Sequence, residues 1–284
     1  MKTGIVFEGG ASRTAYSCGV MDALLDNNLY MDYVIGVSAG IAYGISYSSR
    51  QVGRNKRIFG EFMHDTRYMG IRHFLGKKKS YYNFDFAFEE MPERYLPYDW
   101  ETYKNCGENA TAVITNIETG LPEYYPITCE DKKWTLLKAS SSLPILFPPV
   151  EINGKKYMDG GITDSIPFEK AFEDGCDKVI VVLTRERGFV KKPESLLPLI
   201  KMTYKKYPNL IKALENRHIM YNNQLKKLHE LEKEGKALVI APPDTHRIGR
   251  TERRPEILIP YFDEGYRDTE KMIEIIKEFI DFKE

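Results

Sequence analysis

Gly36-Val37-Ser38-Ala39-Gly40 sets a serine between two glycines in the spacing G-x-S-x-G. A serine hydroxyl becomes a useful nucleophile when a base can take its proton and a group nearby can stabilise the oxyanion. The flanking residues fit a strained strand-to-helix turn that would expose such a hydroxyl. Residues 32–35 form a short β-branched apolar run, and residues 41–47 are small and apolar enough to begin a helix against a sheet. The glycines remove Cβ clashes in so tight a turn. The helix N-terminus would favour negative charge developing beside Ser38. Alone, the pentapeptide also reads as a serine in a buried turn.

A nucleophile of this kind needs partners, and three other segments carry candidates. Glu8-Gly9-Gly10-Ala11-Ser12-Arg13 follows an apolar run and precedes a helical pattern, so its small residues let several backbone N–H groups converge on an anion, with Arg13 adding a fixed charge. The spacing is not G-x-G-x-x-G, which argues against a dinucleotide site; a tight turn with a solvated Arg13 is the simpler reading. Asp159, in Tyr157-Met158-Asp159-Gly160-Gly161, is a candidate general base at a strand end, and equally a β-turn aspartate, since Asp-Gly is a strong turn signal. Residues 139–149, Ala-Ser-Ser-Ser-Leu-Pro-Ile-Leu-Phe-Pro-Pro, read as a helix end feeding a proline-stiffened loop that either walls a pocket or connects two elements.

The elements that must hold these residues alternate between strand and helix. Strands are predicted at 4–7, 32–35, 110–116, 124–127, 155–158, 178–183 and 237–240, and a helix at 15–26 with Val20, Leu24 and Leu25 on one face. Helical segments fill 195–233, and an amphipathic helix spans 269–282, with Ile273, Ile276, Phe279 and Ile280 at helical spacing. Alternating β and α elements with short connections argue for a parallel sheet covered by helices. The expected organisation is one compact α/β domain over 1–284, with a motif-bearing core at about 3–184 and a helical insertion, one further strand and a C-terminal helix in 185–284.

Taken together, the four motif segments, in their order, resemble the bacterial branch of the patatin-like phospholipase family over residues 3–184. The resemblance implies a three-layer α/β/α sandwich with a mainly parallel central sheet. It also implies a serine acyl hydrolase acting on lipid acyl esters without a metal or other cofactor. By similarity, Ser38 is the nucleophile, Asp159 its general base in a dyad without histidine, and Gly9, Gly10, Ala11 and Arg13 the oxyanion loop. Two positions depart from the family pattern: Ala11 and Thr14 stand where glycines are usual. If the backbone at Ala11 needs positive φ, alanine carries a cost of about 1 kcal/mol or more. Past Thr184 the resemblance assigns no residue.

Two other readings compete. In an α/β-hydrolase, histidine follows aspartate in the chain, and His218, His229 and His246 all follow Asp159. His218 and His229 lie in Lys-rich helical sequence, which leaves His246, after a predicted strand, as the serious candidate. A non-catalytic protein could instead bind an anionic membrane surface through residues 71–82, where aromatics mix with Lys77, Lys78 and Lys79. That stretch also reads as a lid, or as a loop with aromatics packed inward.

Whole-chain properties exclude several classes. Lys+Arg and Asp+Glu each number 41, so the net charge is zero and nothing general favours nucleic acid. The four cysteines are scattered with no C-x-x-C pair, which fits free thiols in a reducing compartment better than disulfides or zinc. The N-terminal residues reach glutamate and glycine too soon for a signal-peptide core, and no apolar run approaches a membrane span. The expected location is cytoplasmic, with peripheral membrane contact through 71–82.

Overall fold

A computed structural model describes residues 1–70, 73, 80–245 and 248–282. Strand β1 (Thr3–Phe7) is buried along its whole length. Its neighbours β2 (Tyr33–Val37) and β7 (Lys178–Val182) both run parallel to it. β3 (Ala110–Asn116) continues the parallel ladder beyond β2, and β8 (Ala237–Ile240) beyond β7. At the β3 edge the direction reverses: β4 (Leu121–Pro126) and β6 (Lys155–Asp159) pair antiparallel with β3, and β5 (Val150–Ile152) pairs antiparallel with β6. The spatial order is β5-β6-β3-β2-β1-β7-β8, with β4 beside β3. The sheet is mainly parallel.

Continuous β-branched runs such as Val179-Ile180-Val181-Val182 are what a strand covered on both faces requires. Alternate residues supply two separate cores. Ile5, Phe7, Val34, Ile180 and Val182 face helices α1 (Thr14–Asp26) and α2 (Ala39–Ser48). Val6, Ile35, Val37, Val179 and Val181 face the opposite layer, which follows a short helix α3 (Thr135–Ser140) and consists of α4 (Phe168–Glu173) and α5 (Pro208–Lys233). The result is the three-layer α/β/α arrangement.

The chain beyond residue 184 is built into this sheet, through β8, and onto its helical layers. Where one helix is expected over 269–282, there are two, α6 (Pro255–Glu270) and α7 (Ile273–Phe279), separated at Lys271 and Met272. Pro260 masks α6 in the sequence, because proline removes a ladder donor and crowds the preceding turn. The amphipathic face supplied by Leu258, Tyr261 and Phe262 holds the helix in place through tertiary burial. α6 also explains why α1 is buried on every side rather than on the one face predicted: only Asp26 of its residues escapes burial. The two helices touch at glycine. A Cβ at Gly19 would lie 2.0 Å from the Phe262 carbonyl oxygen, and one at Gly265 would lie 2.1 Å from that of Tyr16. β4 begins earlier than predicted, at Leu121, and tolerates Pro122 and Pro126 because it lies off the main path of the sheet.

Gly265→Ala must push α6 off α1, and overpacking of this kind costs about 1–3 kcal/mol. The expected result is a melting temperature several degrees below wild type, while Gly249→Ala, whose Cβ would meet nothing within 4 Å, leaves it unchanged. Equal melting temperatures for the two variants would refute the contact.

Candidate active site

β1 ends at Phe7, and the following Glu8 ties three elements together. Its carboxylate accepts from the Thr184 N–H at 2.7 Å and from the Tyr221 hydroxyl at 2.7 Å, fastening the loop to the end of β7 and to α5. Thr184 also donates through Oγ1 to the Gly9 carbonyl at 3.1 Å. With its carbonyl side so anchored, the loop leaves the N–H groups of Gly9, Gly10 and Ala11 without an acceptor among the described residues. Ala11 takes φ 50°, the left-handed conformation that the usual glycine would adopt freely. Arg13 is buried, its Nε has no hydrogen-bond partner, and its pKa is pushed down to about 10, first by burial and then by Arg185 and Arg250.

Ser38 is the turn residue between β2 and α2, at φ 54° and ψ −130°, a conformation that costs a non-glycine residue on the order of 1–3 kcal/mol. Two contacts hold it there. A Cβ at Gly40 would lie 2.5 Å from the Phe7 carbonyl oxygen and 2.6 Å from that of Glu8, so the start of α2 presses directly on the end of β1. The Ser38 N–H donates to Ser140 Oγ at 2.9 Å, and Ser140 Oγ donates to the Val113 carbonyl at 2.7 Å. Ser140, at the end of α3, therefore props the turn. The sequence reading offered residues 139–149 as a pocket wall or a connector; Ser141, Leu143 and Phe147 do line the apolar cavity, and the prop at Ser140 is a further role.

Asp159 closes β6 opposite Ile114 of β3. Its Oδ1 accepts from the Gly161 N–H at 2.8 Å, which is the turn role expected of an Asp-Gly aspartate. Its buried Oδ2 has no hydrogen bond of regular geometry, yet the Ser38 hydroxyl is near enough to favour its charge. The turn contact therefore uses one carboxylate oxygen and leaves the other on the side of Ser38. Burial raises the Asp159 pKa; the opposing influences are Arg217, the Ser38 hydroxyl, the Gly161 N–H and Arg250. Arg217 is fixed by a 2.6 Å hydrogen bond from its Nε to the Gly161 carbonyl and lies 3.8 Å from Glu194.

Two cavities meet at Ala11, Ser38 and Leu143. One is walled by apolar side chains including Ala42, Tyr43, Ile58, Met91, Leu137 and Phe147. Phe147 is fixed by stacking on Phe84 with ring centroids 4.4 Å apart. The other contains Asp159 and a set of cationic side chains. Gly9, Gly10, Ala11 and Arg13 line this second cavity together with Ser38 and Asp159, so the predicted site residues converge. Among the described histidines, none lines either cavity; His229 is exposed on α5 and His218 lies partly buried on it. His246 lies outside the described residues, as do 71, 72 and 74–79 of the segment 71–82. Tyr82, from the end of that segment, packs into the apolar cavity. Sequence reasoning missed Glu8, Arg217, Lys191 and Arg250 as site residues. The last three lie beyond Thr184, where no local motif marks them.

A family model described as patatin-like phospholipase matches residues 5–172, and a second, described as a domain of unknown function (DUF6363), matches residues 207–281. The chain belongs to the patatin-like phospholipase family. It is 27% identical over 196 residues to the lysophospholipase NTE1 of Meyerozyma guilliermondii, covering 63% of this chain and 12% of that protein. It is 23% identical over 186 residues to the uncharacterized protein YjjU of Escherichia coli, covering 63% of this chain and 51% of the relative. The chain thus spans an eighth to a half of these relatives' length. In fold it is similar to VipD from Legionella pneumophila, with a TM-score of 0.53 at 13% identity over 96% of this chain and 67% of that one.

Asp159→Asn keeps an oxygen for the Gly161 N–H and removes a buried charge. The folded carboxyl has the raised pKa, so as pH climbs the unfolded chain releases its proton first and the fold loses stability across that interval. At about pH 8 the Asn variant should therefore melt above wild type. The gap should close on acidification toward the ordinary carboxyl value of ~3.9. Thermal melts across that range check this; a variant less stable at about pH 8 would mean that burial does not dominate at Asp159.

Proposed function

We propose that this member of the patatin-like phospholipase family cleaves lipid acyl esters through Ser38 as nucleophile and Asp159 as general base, without a histidine. The observation that carries the reading is the position of Ser38, on the shared wall of an apolar cavity and a polar one, beside the unpartnered Oδ2 of Asp159. The acyl chain occupies the apolar cavity and the rest of the substrate the polar one. Asp159 Oδ2 takes the Ser38 proton as the hydroxyl oxygen attacks the ester carbonyl. The uncommitted amides of Gly9, Gly10 and Ala11 donate to the oxyanion, with Arg13 contributing charge. The leaving alcohol takes the proton from Asp159. Water, activated by the same carboxylate, then releases the fatty acid from the acyl-serine.

An ordinary aspartate is a weak base at a pKa of ~3.9. Burial raises that value and strengthens the base, while Arg217 keeps enough of the charged form to accept a proton. Relatives named lysophospholipase support a single-chain phospholipid as the substrate class. No described helix is long and apolar enough to cross a membrane. Tyr82 lines the apolar cavity in which the acyl chain would lie.

Ser38→Ala and Asp159→Asn, each confirmed folded, should lower kcat on an acyl ester by about 10³-fold or more. Ser38→Ala should also abolish labelling by a fluorophosphonate probe. His246→Ala should stay within about threefold of wild type; a collapse comparable to that of Ser38→Ala would instead establish a triad. Undiminished turnover by Ser38→Ala sinks the reading.

Because Arg217 is the chief influence holding the Asp159 pKa down, Arg217→Gln should move the acidic limb of the pH–rate profile to higher pH. An unmoved limb would show that another group sets it.

A further inference from the structure

The polar cavity holds more positive charge than Asp159 needs. Six cationic residues line it, Arg13, Arg185, Lys191, Lys192, Arg217 and Arg250, against three carboxylates, Glu8, Asp159 and Glu194. Glu8 accepts from Thr184 and Tyr221 and keeps its negative charge toward Arg13, Lys191 and Arg217, while Glu194 faces Arg217. Arg217 and Arg250 are the cations that chiefly act on Asp159. Arg13, Arg185, Lys191 and Arg250 form no close ion pair with any described residue; Glu8 acts favourably on Arg13 and Lys191, and Glu186 on Arg13 and Arg185, without direct contact, and the cavity lining still carries more cations than carboxylates.

These side chains are held in place. Ser12 Oγ lies 2.9 Å from the Arg250 carbonyl oxygen and 2.6 Å from that of Glu252, pinning the segment that carries Arg250 to the loop beside Ser38. The Lys191 N–H donates to Asn222 Oδ1 at 2.9 Å and its carbonyl accepts from Asn222 Nδ2 at 3.0 Å, fastening that residue to α5. The Lys191 ammonium stands 4.3 Å from the centre of the Tyr221 ring. The guanidinium of Arg185 packs over Phe189 at 4.3 Å, and Arg185 Nη1 donates to Thr245 Oγ1 at 3.2 Å. Burial, followed by Arg217, pushes the Lys191 pKa down to about 7, with Arg250 and Arg13 adding to the effect. Like charges gathered in a partly enclosed space are costly until an anion joins them.

We infer that this cavity is a headgroup site selecting a lipid whose polar half is an anionic phosphate with no cationic substituent. Its selectivity is set by Arg185, Lys191 and Arg250, outside the stretch matched to the patatin-like phospholipase model. The inference rests on the reading of Ser38 as the point of acyl cleavage. A phosphomonoester carries about −1.5 to −2 at pH 7 and offers acceptors to several donors at once. A phosphocholine headgroup would bring its own cation into a field already positive. The expected order of affinity is therefore phosphomonoester, then anionic phosphodiester, then phosphocholine or an uncharged glycerol head.

Binding to Ser38→Ala, which cannot turn over, isolates this claim from catalysis. Titration with single-chain lipids of one acyl length, kept below micelle formation, should give a Kd for the phosphomonoester at least about tenfold below that for the phosphocholine or the monoacylglycerol. Lys191→Gln combined with Arg250→Gln should weaken phosphomonoester binding by about 30-fold or more and leave little preference among headgroups. Glycerol phosphate without an acyl chain should bind far more weakly than the lipid; equal affinity would make this a site for a free phosphate ester and overturn the lipid assignment. Equal affinity for anionic, zwitterionic and uncharged lipids would overturn the inference. Hydrolysis of an uncharged ester by wild type, measured in parallel, reports on the Ser38 reading alone, so the two failures are distinguishable.

Discussion

The site depends on a backbone contact with no room for a side chain: the start of α2 rests on the last carbonyls of β1, and a Cβ at Gly40 would fall within 2.6 Å of both Phe7 and Glu8 oxygens. That contact sets the Gly9–Ala11 loop beside Ser38, since both follow adjacent parallel strands of one sheet. It also fixes the strain at Ser38. A non-glycine residue keeps φ 54° when its surroundings over-determine it, and here the close approach on one side and Ser140 on the other do so. A second strained residue, Ala11 at φ 50°, lines the same two cavities. Such conformations cost stability, and the buried sheet around them supplies the offset.

Electrostatics divides the two cavities as clearly as shape does. On the apolar side the walls are aromatic and aliphatic, and Phe147 carries a stacked pair of rings into the wall. On the polar side Asp159 is buried enough for its charge to be disfavoured, and arginines moderate that effect. Ser38 stands where these environments meet. An ester of a long-chain acid has the same division, with an apolar acyl half and a polar alcohol half joined at the bond to be broken.

The C-terminal third completes the site as well as the fold. β8 extends the sheet beyond β7, and α6 seals the outer side of α1 through the glycine contacts. α5 supplies Arg217 next to Asp159 and Tyr221 to Glu8, and the segment around 250 is bonded to Ser12. The charged side chains around the polar cavity therefore come largely from this part of the chain.

Most strands were legible because buried β-branched runs mark them, and β3 and β8 match their predicted bounds; the three-residue β5, the spatial order and the antiparallel pairing at the β3 edge were not. Ser38, the loop at Gly9 to Ala11 and Asp159 were legible because each lies in a short segment whose chemistry is local: a glycine-flanked turn, a small-residue loop, a strand end before two glycines. The boundaries of α6 and α7 were not, since Pro260 contradicts the local pattern that burial against α1 overrides. Nor could sequence decide which role Asp159 plays, for the turn and the free oxygen belong to the same carboxylate. Arg217 and Lys191 lie far along the chain from Asp159 and Ser38, in Lys- and Arg-rich sequence that resembles any solvated surface. Only the packing of α5 and its neighbouring loop against the end of the sheet turned those charges inward, because a side chain's electrostatic role is set by what surrounds it in space.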